Sequence, residues 1–322
     1  MKLVTFHRDG SERLGALRGG DSVVDVAASV RQRGGSPEPA FASMQALIEA
    51  GPAALSALRR LLAEPARLEL LPLAGTRLLA PLPRPEQIRD CLCFEEHLTA
   101  LMERAKAATG SVPPAQAAMH ATFRERPIYY KANRFAVVGP DADVTWPSYS
   151  KLMDYELELA AVIGTRGRDI RADRAREHVF GFSIFNDLSA RDQQMLEMPG
   201  MLGPTKSKDF DGANVLGPCI VTADEFDETR AAMRVRVNGE LRSEGSSASM
   251  SLSFAELIAY VSRDETLHPG EILCSGTVGG GCGLERGEFL EHGDVVEFEV
   301  DGIGVLRTRV LLPGRGAPEE QR

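Results

Sequence analysis

The chain has 322 residues, 43% of them hydrophobic and 26% charged, with a formal net charge of -9. This is the balance of an ordinary soluble protein with one large domain or two unequal ones, and it lacks the basic footprint of a nucleic-acid binder. A small anionic substrate remains compatible, because a few local Arg and Lys side chains override the net field. No stretch approaches the roughly 18 consecutive apolar residues of a membrane span, and the opening MKLVTFHRDGSERLG has no apolar core of a secretory signal. A cytoplasmic protein with neither a membrane nor a nucleic-acid partner is expected. The five cysteines (Cys91, Cys93, Cys219, Cys274 and Cys282) lack zinc-type spacing, so reduced, buried thiols are expected.

In chain order, residues 2–6 and 13–17 flank Asp9-Gly10, a hairpin signal, and 22–26 reads as a third strand. Over 41–62, Met44, Leu47, Ile48, Leu55, Leu58 and Leu61 recur in threes and fours, which predicts a helix broken at Gly51-Pro52. The punctuation APLPRP at 80–85 sets a boundary between a small N-terminal α/β domain, 1–80, and a larger domain, 81–322. Residues 94–108 read as a helix, and the Ala- and Pro-rich 109–127 as a mobile excursion. Strands follow at 129–131, 136–138, 154–163, 179–185, 219–221 and 234–237, with a hairpin turn at Asn238-Gly239. A short helix at 254–262 and a hairpin of 295–300 with 305–311 around Asp301-Gly302 close the chain. Helices and strands do not alternate regularly, which argues against a doubly wound sheet and for an α+β, mainly β fold.

Five stretches carry residues suited to chemistry. In KLMDYELELAAVIG, Asp154, Glu156 and Glu158 occupy alternate positions and would share one face of a strand. A solvated face explains such a pattern; so does a divalent cation that neutralises it, with hard oxygens suiting Mg²⁺, Ca²⁺ or Mn²⁺. In VFGFSIFNDLSARDQQ an apolar strand ends at Asp187, and Ser189 to Asp192 has the spacing of a capping box. Arg191 and Gln194, three apart, share a face of the helix that follows. In IRDCLCFEEHLTAL, Asp90 lies in a short strand and His97 just inside the next helix, where a histidine near a metal site is a natural general base. The loop GPTKSKDFDGANVLGP carries Lys206 and Lys208, either solvated or with a lysine held to neutralise an oxyanion or enolate. In CSGTVGGGCGLE, Thr277 precedes three glycines whose backbone N–H groups could approach a ligand.

Taken together, D-Y-E-L-E, N-D-x-S-A-R-D-x-Q, the lysine loop leading to Leu216-Gly217-Pro218, S-G-T with its glycine run, and the final G-D-V-V-E-F-E-V-D-G-I-G resemble the fumarylacetoacetate hydrolase family over roughly 81–310. The resemblance implies a mixed β-sandwich roll holding one divalent metal, Mg²⁺ first, on Glu156, Glu158 and Asp187. Asp90, seven residues before His97, matches an additional aspartate of the fumarylacetoacetase-like branch. The family's substrate-contacting arginine, glutamine and lysine fall on Arg191, Gln194 and Lys208, with Thr277 in the S-G-T turn. Asp154 matches no ligand position, which leaves it behind the ligands or solvated. Where short family members carry a glutamate three residues after the histidine, this chain has Ala100, so Glu285 and Glu291 both stand as acidic partners of His97. The implied activity is metal-dependent hydrolysis of a C–C bond in a small 1,3-dicarbonyl (diketo or acylpyruvate) acid, with His97 activating water and Lys208 stabilising the oxyanion. The alternatives are a 2-oxo-acid decarboxylase, a hydratase or a keto–enol isomerase on the same scaffold, and beyond these a metal-stabilised binding protein without turnover. The family also implies a homodimer; Met195, Met198, Met201 and Leu202 suit either an interface or a lid.

Overall fold

The structure is a computed structural model that describes residues 1–317. Its backbone is a 12-stranded sheet. The central order runs Lys2–Arg8, Asn214–Thr222, Val179–Asp187, Leu157–Ile163, Glu271–Cys274, Gln87–Cys91, Tyr129–Ala132. Ser11–Arg18, Ser22–Asp25 and Leu70–Pro72 extend it beyond Lys2–Arg8, so strands from the first 80 residues and from the remainder share one hydrogen-bonded sheet. A second sheet of five strands, Glu240–Ser246, Ala232–Val237, Val295–Val300, Gly304–Leu311 and Ala142–Thr145, closes the roll.

Alternation along the central strands sorts side chains between two cores. Leu157, Leu159 and Ala161 pack with Phe182, Phe298, Met233 and Val296, filling the space between the sheets. Ala160, Val162, Phe185 and Ile88 pack instead with Leu47, Ile48 and Leu58 of the helix Met44–Leu62. That helix is kinked where Gly51 takes φ 72° ahead of Pro52, as the Gly-Pro pair foretold.

The strands sit where periodicity put them, with one interruption. Residues 154–163 are two pieces: Met153–Asp154 pairs with Ser189–Ala190, and Leu157–Ile163 joins the main sheet. The segment 109–127 is ordered structure rather than an excursion. The helix Glu95–Thr109 ends at Gly110 with φ 83°, and a second helix, Pro114–Glu125, begins on a proline. Its alanines are strong helix formers, and proline is preorganised for a first helical turn. His120 Nε2 lies 3.0 Å from Glu95 Oε1, and Arg124 also engages Glu95, tying the two helices together. All five cysteines are free and buried, as expected. Among the described residues no helix is long and apolar enough to cross a membrane.

One glycine locks the sheet end that matters below. Gly276 takes φ +73°, and a Cβ there would stand 2.2 Å from the carbonyl oxygen of Cys91. Gly276→Ala therefore combines left-handed strain with a backbone clash, and a loss of at least about 1–3 kcal/mol is expected. The denaturant midpoint measures it, and an unchanged midpoint would show that the turn can rearrange.

Candidate active site

Register brings four carboxylates to one end of the sheet. Asp187 closes its strand, Glu158 pairs across from Phe185, and Asp90 lies opposite Cys274, which itself pairs with Ala160. Asp90, Glu158 and Asp187 share strand parity with Ile88, Ala160 and Phe185, so they project to the helix-covered side of the sheet. Glu156 arrives from the break between the two strand pieces, where its backbone bridges Cys282. One oxygen from each of Asp90, Glu156, Glu158 and Asp187 lies within 4.8 Å of the others, and all four residues are buried. The sequence reading of Glu156 and Glu158 as neighbours thus meets Asp90 and Asp187 in one cluster.

Two cations and a phenol enter the same space. Lys208 Nζ donates to Glu156 Oε2 at 2.7 Å and also to Asp187 Oδ2. Arg191 Nη2 pairs with Glu156 Oε1 at 2.7 Å. Tyr130 Oη donates to Asp187 Oδ2 at 2.6 Å, and Lys208 Nζ lies 5.8 Å from the centre of its ring. No motif had marked Tyr130; only its place two residues before the buried Ala132, on the same strand face, carries a signal. Gln194 Oε1 accepts from Arg191 Nη1 at 3.0 Å, so this pair of the predicted helix face does meet. Thr277 is buried in the turn after Ser275-Gly276, with its hydroxyl 3.4 Å from the Val278 carbonyl.

The electrostatics divide the cluster. Burial acts to raise the Glu156 carboxyl, but Lys208 and Arg191 outweigh it and hold it at about 2. Burial and the charge of Asp187 push Asp90 well above the usual carboxylate range. Burial with Asp90 and Asp187 does the same to Glu158. Burial acts to lower Lys208, yet Asp187 and Glu156 raise it overall. Asp90 Oδ1, Glu158 Oε1 and Asp187 Oδ1 are buried without a hydrogen-bond partner among the described residues. Three orphaned carboxylate oxygens aimed into one space, with no thiol or imidazole among them, fit a hard divalent cation of the Mg²⁺, Mn²⁺ or Ca²⁺ kind.

His97 lies at the edge of this cluster, in the first turns of the helix Glu95–Thr109. Its Nδ1 is 2.6 Å from Glu285 Oε1, while Glu285 Oε2 accepts the Gly280 N–H at 2.7 Å. The described residues offer Nε2 no hydrogen bond. Of the two acids considered as its partner, Glu285 therefore takes the place; Glu291 is exposed, in a turn closed by Asp294.

Three expectations are corrected here. Asp154 does not share one continuous strand face with Glu156 and Glu158, and of its two expected places it takes the one behind the ligands, not the solvated one. It is fully buried and accepts from the backbone of Tyr155, Gly283 and Leu284 and from Arg191 Nε, at 2.7–2.9 Å. Arg191 Nη2 lies 2.7 Å from both Asp154 Oδ2 and Glu156 Oε1, which sets Asp154 directly behind Glu156. Second, two of the three glycine-run N–H groups are spent on the protein, Gly280 on Glu285 and Gly281 on the Val278 carbonyl, as is that of the nearby Gly283, on Asp154. Close packing explains Gly283, where a Cβ would meet the Glu288 carbonyl oxygen at 1.9 Å. Third, Ser189 and Asp192 form no capping box. Ser189 Oγ donates to the Asp187 carbonyl, and Asp192 accepts from Ser150 Oγ and Lys151 N, because Ser189–Ala190 pairs as a strand with Met153–Asp154 and the helix begins only at Arg191.

The roll, the four-carboxylate cluster and the cations around it define a protein built around a site for a hard divalent cation. The chain belongs to the fumarylacetoacetate hydrolase family: residues 87–311 match the fumarylacetoacetate (FAA) hydrolase C-terminal family. It is 34% identical over 273 residues to the human oxaloacetate tautomerase FAHD2A, covering 84% of this chain and 80% of that one. The human protein is named as mitochondrial, where the sequence here led to an expectation of the cytoplasm. A fumarylacetoacetate hydrolase from the psychrophile Exiguobacterium antarcticum superposes with a TM-score of 0.75 at 30% identity, over 97% of this chain and 99% of that one. The fold is also that of a maleylpyruvate hydrolase from Sphingobium sp. SYK-6, at TM-score 0.73 and 24% identity over 97% and 99% of the two chains; that structure is a complex with manganese(II) and pyruvate.

Two outcomes follow from the geometry. A cation must displace protons from Asp90 and Glu158, whose titrations are raised, so affinity falls as pH falls. Mn²⁺ affinity is expected to drop roughly tenfold per pH unit for one displaced proton and roughly 100-fold for two. Calorimetry across pH measures this, and a flat profile would remove both carboxylates from the ligand set. Asp154→Ala leaves a buried arginine short of a partner and two loop N–H groups without an acceptor. A loss of about 3 kcal/mol is expected in urea unfolding, with Asp154→Asn losing less.

Proposed function

We propose that the protein is a divalent-metal-dependent enzyme that acts on a small anionic 2-oxo acid through its enolate, with His97 as the base that moves the proton. The observation that carries this is the 2.6 Å contact of His97 Nδ1 with Glu285, beside the carboxylate cluster. Glu285 fixes the ring and stabilises it once protonated, leaving Nε2 for the substrate. Asp90, Glu156, Glu158 and Asp187 would hold a divalent cation, which would supply Lewis-acid charge for the enolate. Lys208 Nζ, which reaches Glu156 and Asp187, stands as the donor to the developing oxyanion. Arg191, Gln194 and Thr277 orient the acid.

The first reading is keto–enol tautomerisation of an oxaloacetate-like acid. His97 takes a proton from C3, the electron pair shifts to the carbonyl oxygen, and that oxygen is protonated; the reverse runs through the same groups. The likeness to the human tautomerase over most of both chains supports it. The second reading is C–C hydrolysis of a 1,3-dicarbonyl acid, which is favoured by the unbonded Nε2 with a carboxylate behind the ring, an arrangement that can also deprotonate water. Water then adds to the distal carbonyl, the C–C bond breaks, and its electron pair leaves as the enolate of the shorter 2-oxo acid. We also propose a homodimer, on family likeness; Met195, Met201 and Leu202 are exposed and suit either an interface or a lid.

With Mg²⁺ or Mn²⁺ present, the expected result is faster relaxation between enol and keto oxaloacetate, followed by ultraviolet absorbance, and little cleavage of acylpyruvates. Cleavage with solvent oxygen in the released acid would instead select hydrolysis. His97→Asn is expected to lower kcat by about 10²–10⁴ while metal affinity is kept. Unchanged turnover in that variant would sink the base assignment.

A further inference from the structure

We propose that His97, Cys282 and Glu285 form a second metal site, selective for Zn²⁺ and other thiophilic ions, whose occupation switches the enzyme off. The inhibitory half rests on the reading of His97 as the base; the binding half does not.

One ligand atom from each of the three residues lies within 4.8 Å of the others. Cys282 Sγ is 3.9 Å from His97 Nδ1 and 3.7 Å from Glu285 Oε1. Tetrahedral zinc, with bonds of about 2.3 Å to sulfur and about 2.0–2.1 Å to nitrogen and oxygen, sets its ligands about 3.5 Å apart for a pair including sulfur and about 3.3 Å apart for nitrogen and oxygen. The two sulfur distances therefore need only a slight contraction. The 2.6 Å separation of His97 Nδ1 and Glu285 Oε1 must open by about half an ångström or more. That opening replaces the hydrogen bond between imidazole and carboxylate with two bonds to the ion. The second oxygen of Glu285 already accepts the Gly280 N–H, which holds the carboxylate with Oε1 toward Cys282 and His97. Three protein ligands leave the fourth position to water or to a substrate oxygen.

The chemistry of the two sites differs enough to sort ions. The strand-end cluster is all carboxylate and suits hard cations, whereas sulfur, imidazole and one carboxylate favour zinc, cobalt or cadmium. Zinc bound here takes up Nδ1 and Glu285 together, so His97 loses the partner that stabilises its protonated ring.

The experiment uses the full chain with its carboxylate site saturated by Mg²⁺. Co²⁺ is added as the probe and the thiolate-to-metal charge-transfer band is read in the absence of substrate; Zn²⁺ inhibition is then measured on the proposed reaction. One equivalent of Co²⁺ is expected to raise the band, and Cys282→Ser to abolish it. The same variant is expected to weaken Zn²⁺ inhibition, relative to its own uninhibited rate, by about 100-fold or more, the upper end of what even an outer-shell change costs. Glu285→Gln, which keeps the shape of the side chain, is expected to weaken Co²⁺ binding and serves if the serine variant does not fold. Absence of the band in the unaltered protein overturns the site. Equal Zn²⁺ inhibition of the unaltered and Cys282→Ser proteins also overturns it, placing the inhibitory ion among the carboxylates. A band that forms without loss of turnover overturns the switch, and with it the base role of His97.

Discussion

The constraint on which the structure turns is an unbalanced set of buried charges. Asp90, Glu156, Glu158, Asp187 and Asp154 are buried together and, among the described residues, pair with two cations, Lys208 and Arg191. Two carboxylates at 4–5 Å repel by about 3–4 kcal/mol at an effective dielectric near 20. Two cations cannot cover five such groups, and burial with like charge raises the titrations of Asp90 and Glu158, the members that no cation pairs with directly. Glu156, placed between Lys208 and Arg191, is the one driven the other way. A fold assembled for stability alone would have no reason to keep such a set, since apolar residues of similar volume do as well or better than buried ion pairs. What makes the arrangement consistent is a ligand with two positive charges.

Asp154 shows how the imbalance is built into the backbone. It lies two residues from Glu156, yet its carboxylate accepts from the loop at 283–284. Through Arg191 it is joined to Glu156, and through the loop it is joined to the segment that carries Cys282 and Glu285. The metal carboxylates and the His97–Glu285 pair are therefore parts of one network rather than two neighbouring sites. Movement of the loop would alter the charge seen by Glu156, and replacement of Glu156 would alter the anchoring of the loop.

Much of this was legible in the chain, and the exceptions have physical causes. Strand alternation marked Asp154, Glu156 and Glu158 together, and the apolar run ending at Asp187 located the strand end, because both signals are local; the family resemblance singled out Glu156 and Glu158. The same alternation misplaced Asp154, since a period of two holds only while the strand is continuous. Ser189 and Asp192 had the spacing of a cap but not the role, because Ser189 is held in a short strand against Asp154 and the helix begins two residues later. The region 109–127 reads as loop by its prolines, yet its alanines and a proline at the helix start make it a helix. Tyr130 and the choice of Glu285 over Glu291 depend on contacts across many strands, which no spacing encodes. The pairing of Cys282 with His97, 185 residues apart, belongs to the same class.

The division between a shared electrostatic frame and the His97–Glu285 pair also suits one scaffold to both tautomerases and hydrolases. In the proposed mechanism, holding an acid by its carboxylate and 2-oxo group, and stabilising an enolate, fall to the carboxylate cluster, Lys208 and Arg191. They are the same whether the enolate arises by loss of a proton or by rupture of a C–C bond. What would distinguish the reactions on that proposal is the atom from which His97 removes a proton: carbon in one case, water in the other. That choice depends on what occupies the space before Nε2, and so on the helix Glu95–Thr109 and the loop carrying Glu285 more than on the metal ligands. Specificity on this fold is therefore expected to vary with those two segments, while the strand-end carboxylates stay fixed by the charge they must jointly hold.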